Sequence, residues 1–167
     1  MILPAIHRLS QFWRHAAARV SADDVRMVRE ILGTDLSLLF LQLPVNDQRH
    51  GLDVLATVTR DEDAAPRVLQ QAALLHDMGK AGAHFSVIER SLTVFLSAVS
   101  PGLLRALLSG RPAFARRYAA YKDHARIGAE TLRRAGAAEL AALVAEHHAA
   151  QPSVELTRRL QRADGLN

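Results

Sequence analysis

The chain has no cysteine, so disulfides and thiolate metal sites are excluded, and any bound metal must be held by nitrogen and oxygen donors. Aromatic residues make up only 5% of it, and no good alternating apolar–polar run marks a half-buried strand. No uninterrupted apolar run reaches the roughly 18–20 residues that cross a bilayer, so no membrane span is expected. Residues 1–10 lack a charged start, a long apolar core and a small-residue cleavage site, which points to a cytoplasmic protein rather than a secreted one. Lysine is nearly missing: Lys80 and Lys122 are the only two, and arginine supplies almost all the basic character.

What remains favours helices. Hydrophobic residues make up 49% of the 167, enough for a real core and against overall disorder. Alanine, leucine and arginine dominate, and all three enter helices at little cost. The net charge of +4 suits a phosphorylated substrate or an anionic partner, but a solvated basic surface accounts for it as well.

Helical signals recur from end to end. Residues 10–20 are helix-compatible, and Ser21 to Asp24 offer a cap for a helix over 25–32 that Gly33 can end. Residues 35–43 form an apolar segment read as helix, although the run also resembles a strand. Pro44 breaks the chain, and Asn46 or Asp47 can cap a helix to about residue 59. After a charged turn at 61–65, a helix over 66–77 is ended by Gly79 and Gly82. Further helices are expected over 85–99, 103–108, 113–135, 137–149 and 153–164, punctuated by Pro101, Gly102, Gly110, Pro112, Gly136 and Pro152. With no repeat, linker or low-complexity tract, residues 1–167 read as one domain: an N-terminal helical extension over 1–44 and a metal-binding core over 45–167.

The chemistry centres on Ala73-Leu-Leu-His76-Asp77-Met-Gly79-Lys80. Adjacent imidazole and carboxylate side chains cannot both point one way in mid-helix, but they can converge where the backbone turns at a helix end. Gly79 supplies backbone freedom there and lets the chain leave closely. His50 lies 26 residues upstream in Arg49-His50-Gly-Leu-Asp-Val. Downstream stand Asp123-His124-Ala-Arg-Ile-Gly128, then Ala145-Glu146-His147-His148, and finally Ala163-Asp164.

This set resembles the HD superfamily of metal-dependent phosphohydrolases, particularly members with the "HDIG" form of the motif, and the resemblance extends over most of the chain. It implies an all-α, HD-domain-like helical bundle with a central metal cleft. By the same resemblance His50, His76, Asp77 and Asp164 hold a first ion, while His124, His147 and His148 match a second site, bridged by Asp77. Five of the eight histidines are thereby used. Taken singly, His50 also reads as a core or surface histidine, and His124 as half of a surface pair with Asp123. His147 and His148 would lie about 100° apart on a regular helix, which makes His147 the firmer ligand. His84 could edge the pocket but is left outside the metal set, and His7 and His15 read as peripheral. Asp164, three residues from the last, requires its helix to be pinned by the metal, Leu156 and Leu160.

Imidazoles and carboxylates without sulfur suit two divalent transition-metal ions, among Fe, Mn, Zn, Co and Ni. Asp77 and Lys80 are the candidate catalytic residues, with Lys80, Arg49 and Arg126 as phosphate-binding cations. Lys80 also reads as a solvated charge at a helix C-terminus. The implied reaction is hydrolysis of a phosphomonoester or phosphodiester by a metal-activated water, on a nucleotide or cyclic nucleotide. A phosphorylated small molecule is thus the expected partner, and a nucleic-acid polymer is not expected. The chain departs from HD-GYP domains, since His147-His148 is followed by Ala-Ala-Gln-Pro-Ser instead of Gly-Tyr-Pro. Two rival functions stand beside this one: an HD-type di-iron oxygenase, and a metal-stabilised binding or regulatory module without turnover. Residues 85–114 are apolar and broken by proline and glycine; Val87, Ile88, Leu92, Phe95 and Leu96 read as a core-packing stripe.

Overall fold

Ser21 opens the first helix by accepting from the Asp24 backbone N–H at 3.1 Å, while the Asp24 carboxylate accepts from the Ser21 N–H at 2.9 Å. This reciprocal cap starts α1 (Ala22–Leu41) in the computed structural model, which describes residues 19–60, 64–83, 85 and 87–167. The segments at 10–18 and 61–63, and His7, His15 and His84, lie outside the described residues. At Gly33 the backbone turns to φ 74°, a region that side chains resist, and α1 bends there. The apolar run at 35–43 that also resembled a strand is helical up to Leu41.

The remaining helices are α2 (Val45–Arg60), α3 (Arg67–Leu75), a 3₁₀ turn (Met78–Ala83), α4 (Val87–Val99), α5 (Pro101–Gly110), α6 (Pro112–Lys122), α7 (His124–Arg134), α8 (Ala138–Glu146) and α9 (Glu155–Leu166). The architecture is all-α, with no strand among the described residues. None of these helices is long and apolar enough to cross a membrane.

The axis of the bundle is α3. Leu69, Ala72, Ala73, Leu74 and Leu75 are all buried, so this helix is apolar on nearly every side and packs against α1, α2, α8 and α9. Around it Phe40, Leu52, Leu55, Leu132, Val144 and Leu160 complete the main core. Glycine sets two of the closest approaches. A Cβ on Gly51 of α2 would meet the backbone oxygen of Leu74 at 3.0 Å, and one on Gly79 would overlap the carbonyl oxygen of His124. Gly79 is therefore needed because α7 lies against it rather than for a special backbone angle; among the described residues only Gly33 and Gly136 have positive φ.

Three expectations change. The single helix expected over 113–135 is two, because the backbone at Asp123 leaves the helical region (φ −99°, ψ 12°) and His124 begins α7. Asp47 is no cap; it sits inside α2, and its carboxylate is taken by Arg90 at 2.8 Å on both oxygens. The stripe on α4 is largely not core. Leu96 is buried, but Ile88, Leu92 and Phe95 are 79, 43 and 60% exposed, because among the described elements α4 packs mainly on α5.

Candidate metal centre

Each candidate side chain stands where a helix stops or where two helices touch. Helix α3 ends at Leu75, so His76 and Asp77 follow as the backbone tightens into the 3₁₀ turn, and both can face one side. The same device recurs at α8, which ends at Glu146 and leaves His147 and His148 beyond its last turn. The 100° separation expected for a regular helix does not apply, and both rings reach His124. Asp123 breaks the chain immediately before His124. His50 comes from α2 and Asp164 from α9, which Leu160, fully buried, anchors in the core. Asn167 ties the end of that helix to Thr57 at 2.9 Å.

The donors form two groups. His50, His76 and Asp164 offer atoms all within 4.8 Å of one another, and so do Asp77, His124, His147 and His148. His50 Nε2 lies 2.9 Å and His76 Nε2 3.4 Å from one Asp164 oxygen. Asp77 stands between the groups and divides its carboxylate. Its Oδ2 is 3.6 Å from His76 Nε2 and 4.0 Å from His50 Nε2, whereas its Oδ1 is 3.3 Å from His124 Nε2 and 3.8 Å from His147 Nε2. Donors bound tetrahedrally at about 2.1 Å from a metal are spaced about 3.4 Å apart, and the observed spacings scatter around that value.

The imidazoles also hold the protonation state that ligation needs. The Nδ1–H groups of His76, His124 and His147 donate to the carbonyls of Ala73, Tyr121 and Val144, at 3.0, 2.7 and 2.6 Å. Nδ1 therefore carries the proton and a neutral ring presents its Nε2 lone pair to the site. His124 Nε2 is only 3.2 Å from His147 Nε2 and 3.1 Å from His148 Nε2. Lone pairs that close repel unless one ring gains a proton or a cation lies among them. Burial, reinforced by the neighbouring His76, pushes His147 down to about 3, and burial with the adjacent His124 lowers His148, so both resist a second proton. His76 Nε2 is buried and has no hydrogen-bond partner. An orphaned buried nitrogen and converging lone pairs fit a cation, and the nitrogen–oxygen donor set fits a divalent transition metal.

The carboxylates answer the same field. Burial opposes ionisation of Asp77, but His76, Lys80 and His124 outweigh it and hold the group well below the usual carboxylate range. Burial likewise opposes ionisation of Asp164, but the hydrogen bond with His50 and the closeness of the His76 ring outweigh it and keep the group ionised. Burial disfavours the charge on His76 too, yet Asp77 and Asp164 raise its pKa. Lys80, hydrogen-bonded to Asp77 Oδ2, is held cationic against its burial by the same carboxylate.

A cleft of about 740 Å³ opens over Asp77, His50, Asp164 and Lys80, and is closed on its far side by α4. Arg49 and Arg126, expected at the phosphate, do not line it. Arg49 pairs with Asp53 at 2.8 Å, and Arg126 is engaged by Asp123 on the surface. The second cation of the cleft is Arg90, which no sequence pattern singles out. Its guanidinium grips Asp47 through two nitrogens, donates to the Phe85 carbonyl at 3.0 Å and lies 5.5 Å from the centre of the Tyr121 ring. No local pattern announces a pair 43 residues apart.

Compared with known proteins, residues 37–166 match the family model described as "Cas3, HD domain". No curated protein and no solved structure matches the chain.

Proposed function

This chain belongs to the Cas3 HD-domain family, and we propose that it is a metal-dependent phosphohydrolase that cleaves phosphodiester bonds in a nucleic-acid strand. The observation that carries the reading is Asp77, whose two carboxylate oxygens face two separate groups of imidazole nitrogens. His50, His76, Asp77 and Asp164 would hold one ion, and Asp77, His124, His147 and His148 a second. Divalent ions bound there would supply a water acidified for attack and positive charge against the phosphate.

The chain's own residues then have defined tasks. The backbone carbonyls of Ala73, Tyr121 and Val144 keep protons on Nδ1 and leave the Nε2 lone pairs free for ligation. Lys80, charged and facing the cleft, donates from Nζ to a non-bridging phosphate oxygen, a contact matched to charge that grows during attack. Arg90 adds positive potential across the cleft while remaining bound to Asp47.

The sequence alone suggested a small nucleotide and no polymer. The family match favours a nucleic-acid phosphodiester instead, and the cleft's open side suits a strand. The test is incubation of manganese-loaded protein, without oxygen, with an oligonucleotide, a cyclic dinucleotide and mononucleotides. Cleavage of the oligonucleotide that disappears with a chelator and in Asp77→Asn supports the proposal. Turnover that survives Asp77→Asn refutes the site. Turnover only with iron and oxygen supports the di-iron oxygenase reading in its place.

A further inference from the structure

The cleft has two unlike ends. One end is ionic, with Asp77, His50, Asp164 and Lys80; the other is a wall of α4 made by Val94, Phe95, Ala98 and Val99. Those four residues and Ser91 fall at spacings of three and four, so one stripe of the helix faces the cleft while Thr93 and Leu96 bury the opposite side. The Arg90–Asp47 pair clamps this helix to α2 one residue from Ser91, which fixes the wall relative to His50.

Phe95 is the anomaly. Among the described phenylalanines, Phe40, Phe85 and Phe114 are buried, whereas Phe95 is 60% exposed on a wall where Val94 and Val99 are exposed too. An aromatic face left open in a cavity whose other end suits a phosphate matches a ligand that is anionic at one point and flat and apolar beside it. Pocket volumes of roughly 300–1,000 Å³ accommodate such molecules.

We infer that the α4 wall is the base subsite of the cleft, and that Phe95 stacks on the nucleobase next to the phosphate held at the ionic end. Ser91 and Asn46, which line the cleft between the two ends, lie where the sugar or a base edge would pass. The inference rests on the hydrolase reading only for where the phosphate sits. Stacking of one base on one aromatic side chain is worth about a ten-fold change in affinity.

The test uses two fluorescent oligothymidylates of equal length, one intact and one abasic along its middle, bound to the calcium- or manganese-loaded full chain and followed by anisotropy. In wild type the intact strand should bind about ten-fold more tightly than the abasic one. Phe95→Ala should erase that preference, and Phe95→Trp should restore it. Equal losses for both strands in Phe95→Ala, or no loss for either, would overturn the inference. So would a change in oligomeric state in Phe95→Ala with strand binding untouched, because the wall would then dock protein. An intact-strand preference through Phe95 without any cleavage would leave the subsite standing and sink the hydrolase reading; cleavage indifferent to Phe95 and to bases would do the reverse.

Discussion

Two parts of the molecule carry apolar helices of similar amphipathic pattern and treat them differently. In the frame of α2, α3, α7, α8 and α9, which carries the candidate donors, apolar faces meet other helices and disappear into one core. In the α4–α5 arm, Ile88, Phe95, Val99 and Leu103 remain 57–79% exposed, and among the described apolar side chains there only Leu96 and Leu104 are buried. The difference lies in neighbours. Helix α3 packs on four other helices, whereas among the described residues α4 leans mainly on α5, with the Arg90–Asp47 pair reaching α2 and the Glu89–Arg117 pair reaching α6, so the same residue types become core in one place and cleft wall in the other. Close packing holds the candidate donors together, and the arm supplies the opposite side of the cleft.

Four substitutions would break or sharpen this contrast. The largest effect belongs to Gly79→Ala in the frame, where the new methyl would overlap the His124 carbonyl and neither backbone can yield. A loss of about 3 kcal/mol is expected, with weaker metal binding as His124 is displaced. Chemical denaturation and metal titration measure both, and a variant as stable as wild type would show that α7 can move.

Arg90→Met cuts the joint between the two regions. Asp47, 3% exposed, would be left without its partner, so a loss of about 2 kcal/mol is expected, discounted for the partial exposure of Arg90. Hydrogen exchange should rise in α4 and not in α3. Equal exchange throughout would mean that arm and frame unfold as one unit.

A further effect concerns pH. Folded His147 is held at about 3, whereas in the unfolded chain it titrates near 6.5. Between those values the unfolded state binds the extra proton, so the metal-free protein loses stability as pH falls from about 6.5 toward 3. His147→Gln should flatten that part of the stability profile in denaturation series at several pH values, and an unchanged slope would assign it to another group. The smallest effect is expected for Ile88→Ser on the arm, within about 0.5 kcal/mol because the side chain is 79% exposed. A thermal shift of several degrees would show that something covers this face.

The sequence disclosed the helices and most of the donors, because capping residues, glycines and the His76-Asp77 string are local signals. Ser21 capped α1 as expected, and His50, His76, Asp77, His124, His147, His148 and Asp164 do lie together. What it concealed depended on partners far along the chain. The α4 stripe could not reveal that none of the described helices packs over it. Arg90 had no nearby acid to single it out, while Arg49 and Arg126 drew notice for standing beside His50 and His124 and found carboxylates elsewhere. Gly51 and Gly128 each allow a close contact near a donor, and a glycine beside His50 or one helical turn after His124 is the local sign of it.

The most direct test of the centre is anomalous diffraction from crystals grown with manganese. Two peaks about 3.5–4 Å apart, one among His50, His76 and Asp164 and the other among His124, His147 and His148, with the Asp77 carboxylate between them, are the predicted result. Saturating manganese that leaves this cluster without a peak, or that binds with Asp77 turned away, would contradict the account.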